Sequence, residues 1–299
     1  MKKQKVVVIV GQTSSGKTAL SLALAQAIGG EIISADSRQV YRGMDIGSGK
    51  VTKEEQTLVP HYLLDVADPT KDIYTVADFV QQGREILDKI ENRAVTPIIV
   101  GGTFMYVDAL LGKMSIPKVP PNETFRASLE TYTNEELFAM LTAKDTRRAV
   151  EIDRHNRIRL VRALEIIEAL GAVPEVVSNE KYDVFTIGLS IDKEQLYERI
   201  LERLLARFDE GMIEEVARLH EEGVSWERLH TFGLEYRHIA AYLQVNTTDK
   251  ETLIAALDQD IRSFAKRQMT WLKRDKDIHW YPYNAHEQII RDVRAWLMS

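Results

Sequence analysis

The stretch that most constrains this 299-residue chain is Gly11-Gln12-Thr13-Ser14-Ser15-Gly16-Lys17-Thr18, directly behind the apolar run Val6-Val7-Val8-Ile9-Val10. It is a complete G-x-x-x-x-G-K-[ST] element lying between a buried strand and a helical pattern, Ala19 to Ile28, which is the context the motif requires. The glycines let the backbone turn tightly, so successive N–H groups face one concavity and cradle phosphate oxygens. Lys17 adds a point charge for the outer phosphate, and the Thr18 hydroxyl suits a Mg²⁺ ligand. The dipole of the following helix favours the same anion. Gly11 to Thr18 is therefore expected to bind a diphosphate or triphosphate.

The chain is long enough for one or two domains, with 44% hydrophobic and 28% charged residues, ordinary values for a soluble globular protein. No apolar run is long enough to cross a bilayer or serve as a signal sequence, so no membrane role is expected. There is no cysteine, hence no disulfide and no thiolate metal site, which suits a cytoplasmic location. The net charge of −6 argues against a generic nucleic-acid binder, but its distribution argues the other way. Lys144 to Arg162 holds seven basic residues against three acidic, and Arg262 to Lys276 holds six against one. Such stripes either hold a phosphate backbone or form solvated helix faces.

The first third alternates strand and helix. Glu31 to Ser34 reads as a strand ending at Asp36; Thr75, with Asp78 three residues on, caps a helix reaching about Asn92. Pro97 to Val100 is a further strand, closed by Gly101-Gly102-Thr103, and Phe104 to Leu111 the next helix. This pattern predicts an α/β fold with a phosphate-loop type parallel sheet and ligands at the carboxyl ends of the strands. The alternation stops at the proline-rich segment 116–121, beyond which Glu123 to Leu170 reads as entirely helical. A fresh strand at Val184 to Leu189 rejoins the sheet. Residues 1–117 and 184–299 are thus expected to form the core with its C-terminal helices, and residues 118–183 a helical insertion. Further helices are expected at Lys193 to about Glu210, Ile213 to Glu222, Leu234 to Leu243 and Lys250 to Lys273. In the first, Leu196, Ile200, Leu204 and Phe208 form a core stripe with Arg199, Arg203 and Arg207 alongside; spacing alone singles out none of the three.

Five further motifs narrow the reading: Ile33-Ser34-Ala35-Asp36-Ser37-Arg38-Gln39-Val40-Tyr41; Met44-Asp45-Ile46-Gly47 with Lys50; His61-Tyr62-Leu63-Leu64-Asp65; Gly101-Gly102-Thr103; and Ala265-Lys266-Arg267-Gln268 with Thr270-Trp271. Together, in this order and across nearly the whole chain, they resemble the bacterial tRNA dimethylallyltransferases (tRNA isopentenyltransferases). The resemblance implies transfer of a dimethylallyl group from dimethylallyl diphosphate to N6 of the adenine 3′-adjacent to the anticodon, position 37 of the tRNA. By it, Asp36 is the base that takes the amine proton, Thr13 touches the diphosphate, and Arg203 clamps it from the opposite side. Ser37, Arg38 and Gln39, with Asp36, meet the target adenine and its neighbours. Thr103 is a tRNA contact, and so is the segment Ile158-Arg159-Leu160-Val161-Arg162. Eukaryotic relatives carry a C-terminal zinc finger, which a chain without cysteine does not match, so the anticodon stem-loop is expected to be held by core and insertion, with the protein acting as a monomer.

On the residues alone, Asp36 serves equally as a base or as a residue beside the metal, as in many phosphate-loop proteins. Thr103 could simply cap its strand. The alternative for the whole chain is an ATP-dependent small-molecule phosphotransferase, which the loop fits fully; the two basic stripes far from the loop weigh against it.

Overall fold

The computed structural model describes residues 3–175, 181–245 and 249–299. The chain divides into two compact units, one built from residues 1–111 and 179–299, the other from residues 112–178.

The first unit begins with strand β1 (Gln4–Gly11), helix α1 (Lys17–Ile28), strand β2 (Glu31–Ser34), helix α2 (Lys53–Leu58), strand β3 (His61–Tyr62), helix α3 (Val76–Glu91), strand β4 (Pro97–Val100) and helix α4 (Phe104–Leu110). The second unit holds α5 (Glu123–Ser128), α6 (Asn134–Lys144), α7 (Thr146–Glu151) and α8 (Arg157–Leu170). The chain then returns to the first unit with β5 (Tyr182–Ser190), α9 (Lys193–Asp209), α10 (Met212–Glu221), α11 (Trp226–Thr231), α12 (Leu234–Gln244), α13 (Lys250–Leu272), β6 (Ile278–Pro282) and α14 (His286–Met298).

The six strands form one parallel sheet in the order β3-β2-β4-β1-β5-β6. Val6, Val7, Val8 and Ile9 of the central β1 are all at most 1% exposed. Successive side chains point to opposite faces, so both faces of the sheet are covered, as an all-parallel sheet requires. Val7 and Ile9 share a core with Leu20 and Leu24 of α1 and with Ile289 and Val293 of α14. A second core joins the stripe Leu196, Ile200, Leu204 and Phe208 of α9 to α10, α12, α13 and the segment around Met44. Thr75 and Asp78 form a reciprocal capping box at the start of α3.

The insertion is not one continuous helical run. Asn122, Thr133, Asp145 and Asn156 each accept a hydrogen bond from a backbone N–H three residues ahead, so each starts a new helix. These residue types favour a cap over a helix interior because their short polar side chains satisfy the orphan first-turn amides. The insertion keeps its own core, with Leu137, Leu141, Leu160 and Leu164 all nearly inaccessible. Among the described residues, no helix is long and apolar enough to cross a membrane.

Candidate active site

The loop between β1 and α1 carries two residues in the left-handed region, Ser14 (φ 59°) and Gly16 (φ 93°). At Gly16 the absence of a Cβ makes that geometry inexpensive. Ser15 N–H donates to the Gln12 carbonyl at 3.3 Å, closing the turn. Helix α13 braces the loop from behind. Gln12 Nε2 donates to the Ala265 carbonyl at 3.0 Å, and Gln268 Oε1 accepts from Thr13 N–H at 2.8 Å. Gln268 Nε2 reaches on to the Gly102 carbonyl at 3.5 Å. Lys17 lies along the loop, donating to the carbonyls of Gly11 (3.0 Å) and Gln12 (2.7 Å). Burial, reinforced by the nearby Arg203 charge and only partly opposed by Asp36, brings the Lys17 amine down to about 7. Any bound anion therefore favours its protonation, because an opposite charge stabilises the ammonium.

A second wall comes from the ends of β2 and β4. These strands approach so closely that a Cβ on Gly101 would stand 2.1 Å from the Ala35 carbonyl oxygen, so only glycine fits there. Just beyond, Asp36 Oδ1 accepts from the backbone N–H groups of Arg38 (2.8 Å) and Gln39 (3.4 Å), which fixes the turn and the carboxylate together. Thr103 Oγ1 accepts from Ser37 N–H at 3.1 Å and donates to Ser37 Oγ at 3.3 Å, locking the two strand ends. Gln39 is held at both ends of its amide: Ser34 Oγ donates to its Oε1 at 3.0 Å, and its Nε2 donates to the Gly49 carbonyl at 3.1 Å.

The third wall is α9. Arg203 Nη2 donates to Thr13 Oγ1 at 2.9 Å across 190 residues of sequence. Crowding by protein atoms, with repulsion from Arg207, lowers its guanidinium to about 9, still charged at neutral pH. Arg207 is different: it is buried against Glu235 (3.3 Å) and the Gly47 carbonyl (3.4 Å).

These walls enclose one cavity of about 940 Å³ in the first unit. Thr13, Ser14, Ser15, Gly16, Lys17 and Thr18 line it, and so do Asp36, Ser37, Arg38, Gln39, Thr103 and Arg203. Gly11 and Gln12 stand behind the wall, both buried, Gln12 turned toward α13. The rest of the sequence-derived set lies on α8, in the second unit. There Ile158 (82% exposed) and Arg159 face outward, while Leu160 is buried in the insertion core and Val161 packs against it. Arg162 is engaged inside the insertion, bonded to the Glu165 carboxylate and to the Val119 carbonyl at 2.7 Å.

Sequence reasoning missed two residues that shape the site. Gln268 stood inside a quoted motif, but its tie to the loop spans 255 residues and has no local signature. Glu215 of α10 is buried and accepts from the N–H groups of Asp45 (2.9 Å), Ile46 (2.7 Å) and Gly47 (3.0 Å) and from the Tyr236 hydroxyl (2.8 Å). It thereby pins the loop whose Gly49 carbonyl orients Gln39. Only its apolar neighbours in the helix distinguish it from the exposed acids of α10.

Residues 39–275 match the family model described as IPP transferase. A tRNA dimethylallyltransferase of Latilactobacillus sakei is 38% identical over 313 aligned positions, covering 100% of each chain. A Treponema denticola protein named tRNA dimethylallyltransferase 2 is 42% identical over 277, covering 91% of this chain and 92% of its own. Among solved structures, the tRNA isopentenylpyrophosphate transferase of Bacillus halodurans is similar with a TM-score of 0.73 and 32% identity, over 99% of this chain and 96% of its own. A eukaryotic dimethylallyltransferase described as acting on tRNA shares the fold, with a TM-score of 0.84 at 24% identity, over 99% of this chain and 80% of its own.

Proposed function

This chain belongs to the IPP transferase family of tRNA dimethylallyltransferases, and we propose that it moves a dimethylallyl group from dimethylallyl diphosphate to N6 of the adenine 3′-adjacent to the tRNA anticodon, in the cavity of its core unit. The observation that carries this reading is the convergence on that one cavity of an anion-cradling loop, two cations and a strand-end carboxylate. A diphosphate leaving group needs donors aimed at its developing charge, and an adenine amine needs a base as it attacks.

In the reaction, the N6 nitrogen attacks C1 of the dimethylallyl group as the C1–O bond to diphosphate breaks. Asp36 accepts the proton lost by N6. The loop amides, Lys17 and Arg203 stabilise the departing oxygen's negative charge, and Thr13, already hydrogen-bonded to Arg203, orients the bridging region. The pair Ser37–Thr103 and the doubly held Gln39 give the acceptor base a fixed polar edge to read. Thr18, at the start of α1 and lining the cavity, offers a hydroxyl oxygen of the kind a hard divalent cation such as Mg²⁺ takes, and would hold that ion. When bound, that ion neutralises diphosphate charge. The exposed face of α8 at Ile158 and Arg159 would meet the stem-loop, with the enzyme acting as a cytoplasmic monomer.

Mass spectrometry of a transcript anticodon stem-loop after incubation with enzyme and dimethylallyl diphosphate tests the reading. One added C5H8 on the adenine beside the anticodon, with γ-labelled ATP left untouched by the enzyme, is expected. Phosphate transfer from ATP and no prenylated RNA would overturn it.

A further inference from the structure

Glu215 is a carboxylate only 5% exposed, and its partners are backbone rather than cations. Its Oε2 accepts from the N–H groups of Asp45 and Ile46, its Oε1 from Gly47 N–H and the Tyr236 hydroxyl. Among the described residues it has no ion pair. It stands behind the cavity, whereas the loop it holds lines that cavity at Gly47, Ser48 and Gly49. We propose that Glu215 is a positioning residue for the acceptor base: by holding the Gly49 carbonyl in place it fixes which way the Gln39 amide faces, and so makes the site prefer adenine to guanine. The inference rests on the reading that an RNA adenine is the acceptor.

Two groups hold the Gln39 amide, and only one of them sets its direction. The Ser34 hydroxyl tolerates either sense, because a hydroxyl can donate to an oxygen or accept from a nitrogen. The Gly49 carbonyl only accepts, so Nε2 must face it, at 3.1 Å; a flipped amide would set oxygen against oxygen. Held this way, Gln39 keeps one N–H and one oxygen lone pair unused among the described residues, on a side chain that lines the cavity. That pair matches adenine, whose N6 amine stands beside the acceptor N7. Guanine brings two acceptors, O6 and N7, on the same edge, which leaves Oε1 facing O6. The Gly49 carbonyl is itself placed by close packing of its loop. Gly49 has φ 59°, and a Cβ there would collide with the Arg207 guanidinium; atoms of the Tyr236 ring stand 2.7 Å from where a Cβ on Gly47 would be. Gly49 N–H closes the turn on the Ile46 carbonyl at 3.0 Å. Glu215 joins three successive amides of that turn to α10, which sets its tilt as well as its position, as a single bond would not.

The test compares the affinity of the full-length protein for two anticodon stem-loops, identical except for adenine or guanine 3′-adjacent to the anticodon, by fluorescence anisotropy. The wild type is expected to bind the adenine form about tenfold tighter, the order of one bidentate base contact. Glu215→Gln should bring the two affinities within about threefold of each other, because an amide nitrogen in place of either oxygen confronts a backbone N–H and displaces the loop. Tyr236→Phe removes one donor of four and should reduce the preference by about twofold. Ser34→Ala should keep the preference, since that hydroxyl sets no direction. A carboxylate that only stabilised the fold would lower the melting temperature and both affinities together, leaving their ratio untouched. That result in Glu215→Gln, equal affinities in the wild type, or a preference retained by Gln39→Leu would each overturn the proposal. Mass spectrometry of the adenine stem-loop with dimethylallyl diphosphate runs alongside. Prenylation by the wild type together with an unchanged ratio in Glu215→Gln removes the role of Glu215 alone; no prenylation removes the acceptor reading and this inference with it. Should Glu215→Gln fold poorly, as judged by its melting curve, Tyr236→Phe carries the same comparison.

Discussion

Each unit of this molecule holds a cluster of arginines, and the two clusters are used in opposite ways. In the insertion, Arg126 and Arg162 surround one buried carboxylate: Glu165, with its side chain 1% exposed, accepts from Arg126 Nε at 2.9 Å, from Arg162, and from the Asn122 N–H at 2.7 Å. Burial pushes that carboxyl up, but the Arg126 guanidinium, the Asn122 amide and Arg162 more than reverse this and hold it below the usual range. In the core, Arg199 and Arg203 line the cavity without a carboxylate partner among the described residues. Charge closed on itself holds helices together; charge left open waits for an anion. A basic stripe in a sequence looks the same in either case.

Asp36→Ala should show the largest effect and falls wholly on the core side of this contrast. Turnover should drop by roughly 10²–10⁴ with RNA affinity nearly intact, if the carboxylate takes the N6 proton. Single-turnover kinetics decide; loss of diphosphate binding with the chemical step preserved would make Asp36 a residue of the metal site instead. Next in size, Lys17→Ala and Thr18→Ala should each impair diphosphate binding, by about tenfold or more, since both act on the anion's charge. Thr18→Ala should in addition shift the Mg²⁺ dependence of pyrophosphate binding, and an unchanged titration would count against a metal role.

In the insertion the expected effects are on stability. Arg162→Ala leaves Glu165 with one guanidinium fewer and should cost the insertion about 1–3 kcal/mol, read as faster hydrogen exchange in α6 and α8 but not in the sheet. The depressed carboxyl adds a pH signature. Its stabilisation is fully present above the ordinary glutamate value, about 4.3, and is lost as pH falls through the lower folded value. Acid should therefore loosen wild-type α8 in that window, and Glu165→Gln should abolish this step while lowering stability at neutral pH. The smallest effect should come from Arg159→Ala. This exposed arginine has no ion pair among the described residues, so stability should be unchanged and the salt slope of RNA binding should fall by about one phosphate contact. If Arg162→Ala weakens RNA binding without loosening the insertion, the line between closed and open charge is drawn in the wrong place.

The same contrast marks what could be read from sequence. Strands β2 and β4 lie at the expected residues because fully buried parallel strands are short apolar runs with abrupt ends. The β6 strand was invisible: in Ile-His-Trp-Tyr-Pro only Ile278 and Tyr281 are buried, too little pattern to register. Helices α11 and α14 and the small elements α2 and β3 were likewise unseen. The four insertion helices merged into one because their caps, Asn122, Thr133, Asp145 and Asn156, sit in otherwise helix-compatible sequence. In the site, the loop, Asp36 and Thr103 were legible because each sits at a strand end, where local pattern and chemistry coincide. Gln268 and Glu215 were not, since their roles exist only through partners 255 and about 170 residues away.

The bracing of the phosphate loop by α13 has a consequence in time. A ribosome delivers the chain from its N-terminus, so the whole Gly11–Thr18 motif emerges more than two hundred residues before Ala265 and Gln268, which fasten its backbone. During that interval the nascent chain carries the motif with its local hydrogen bonds alone, without the α13 partners that fasten Gln12 and Thr13. Competence to grip an anion is thus scheduled late in synthesis, and a product cut short before α13 would keep the complete motif yet lack the hydrogen bonds that hold it in register.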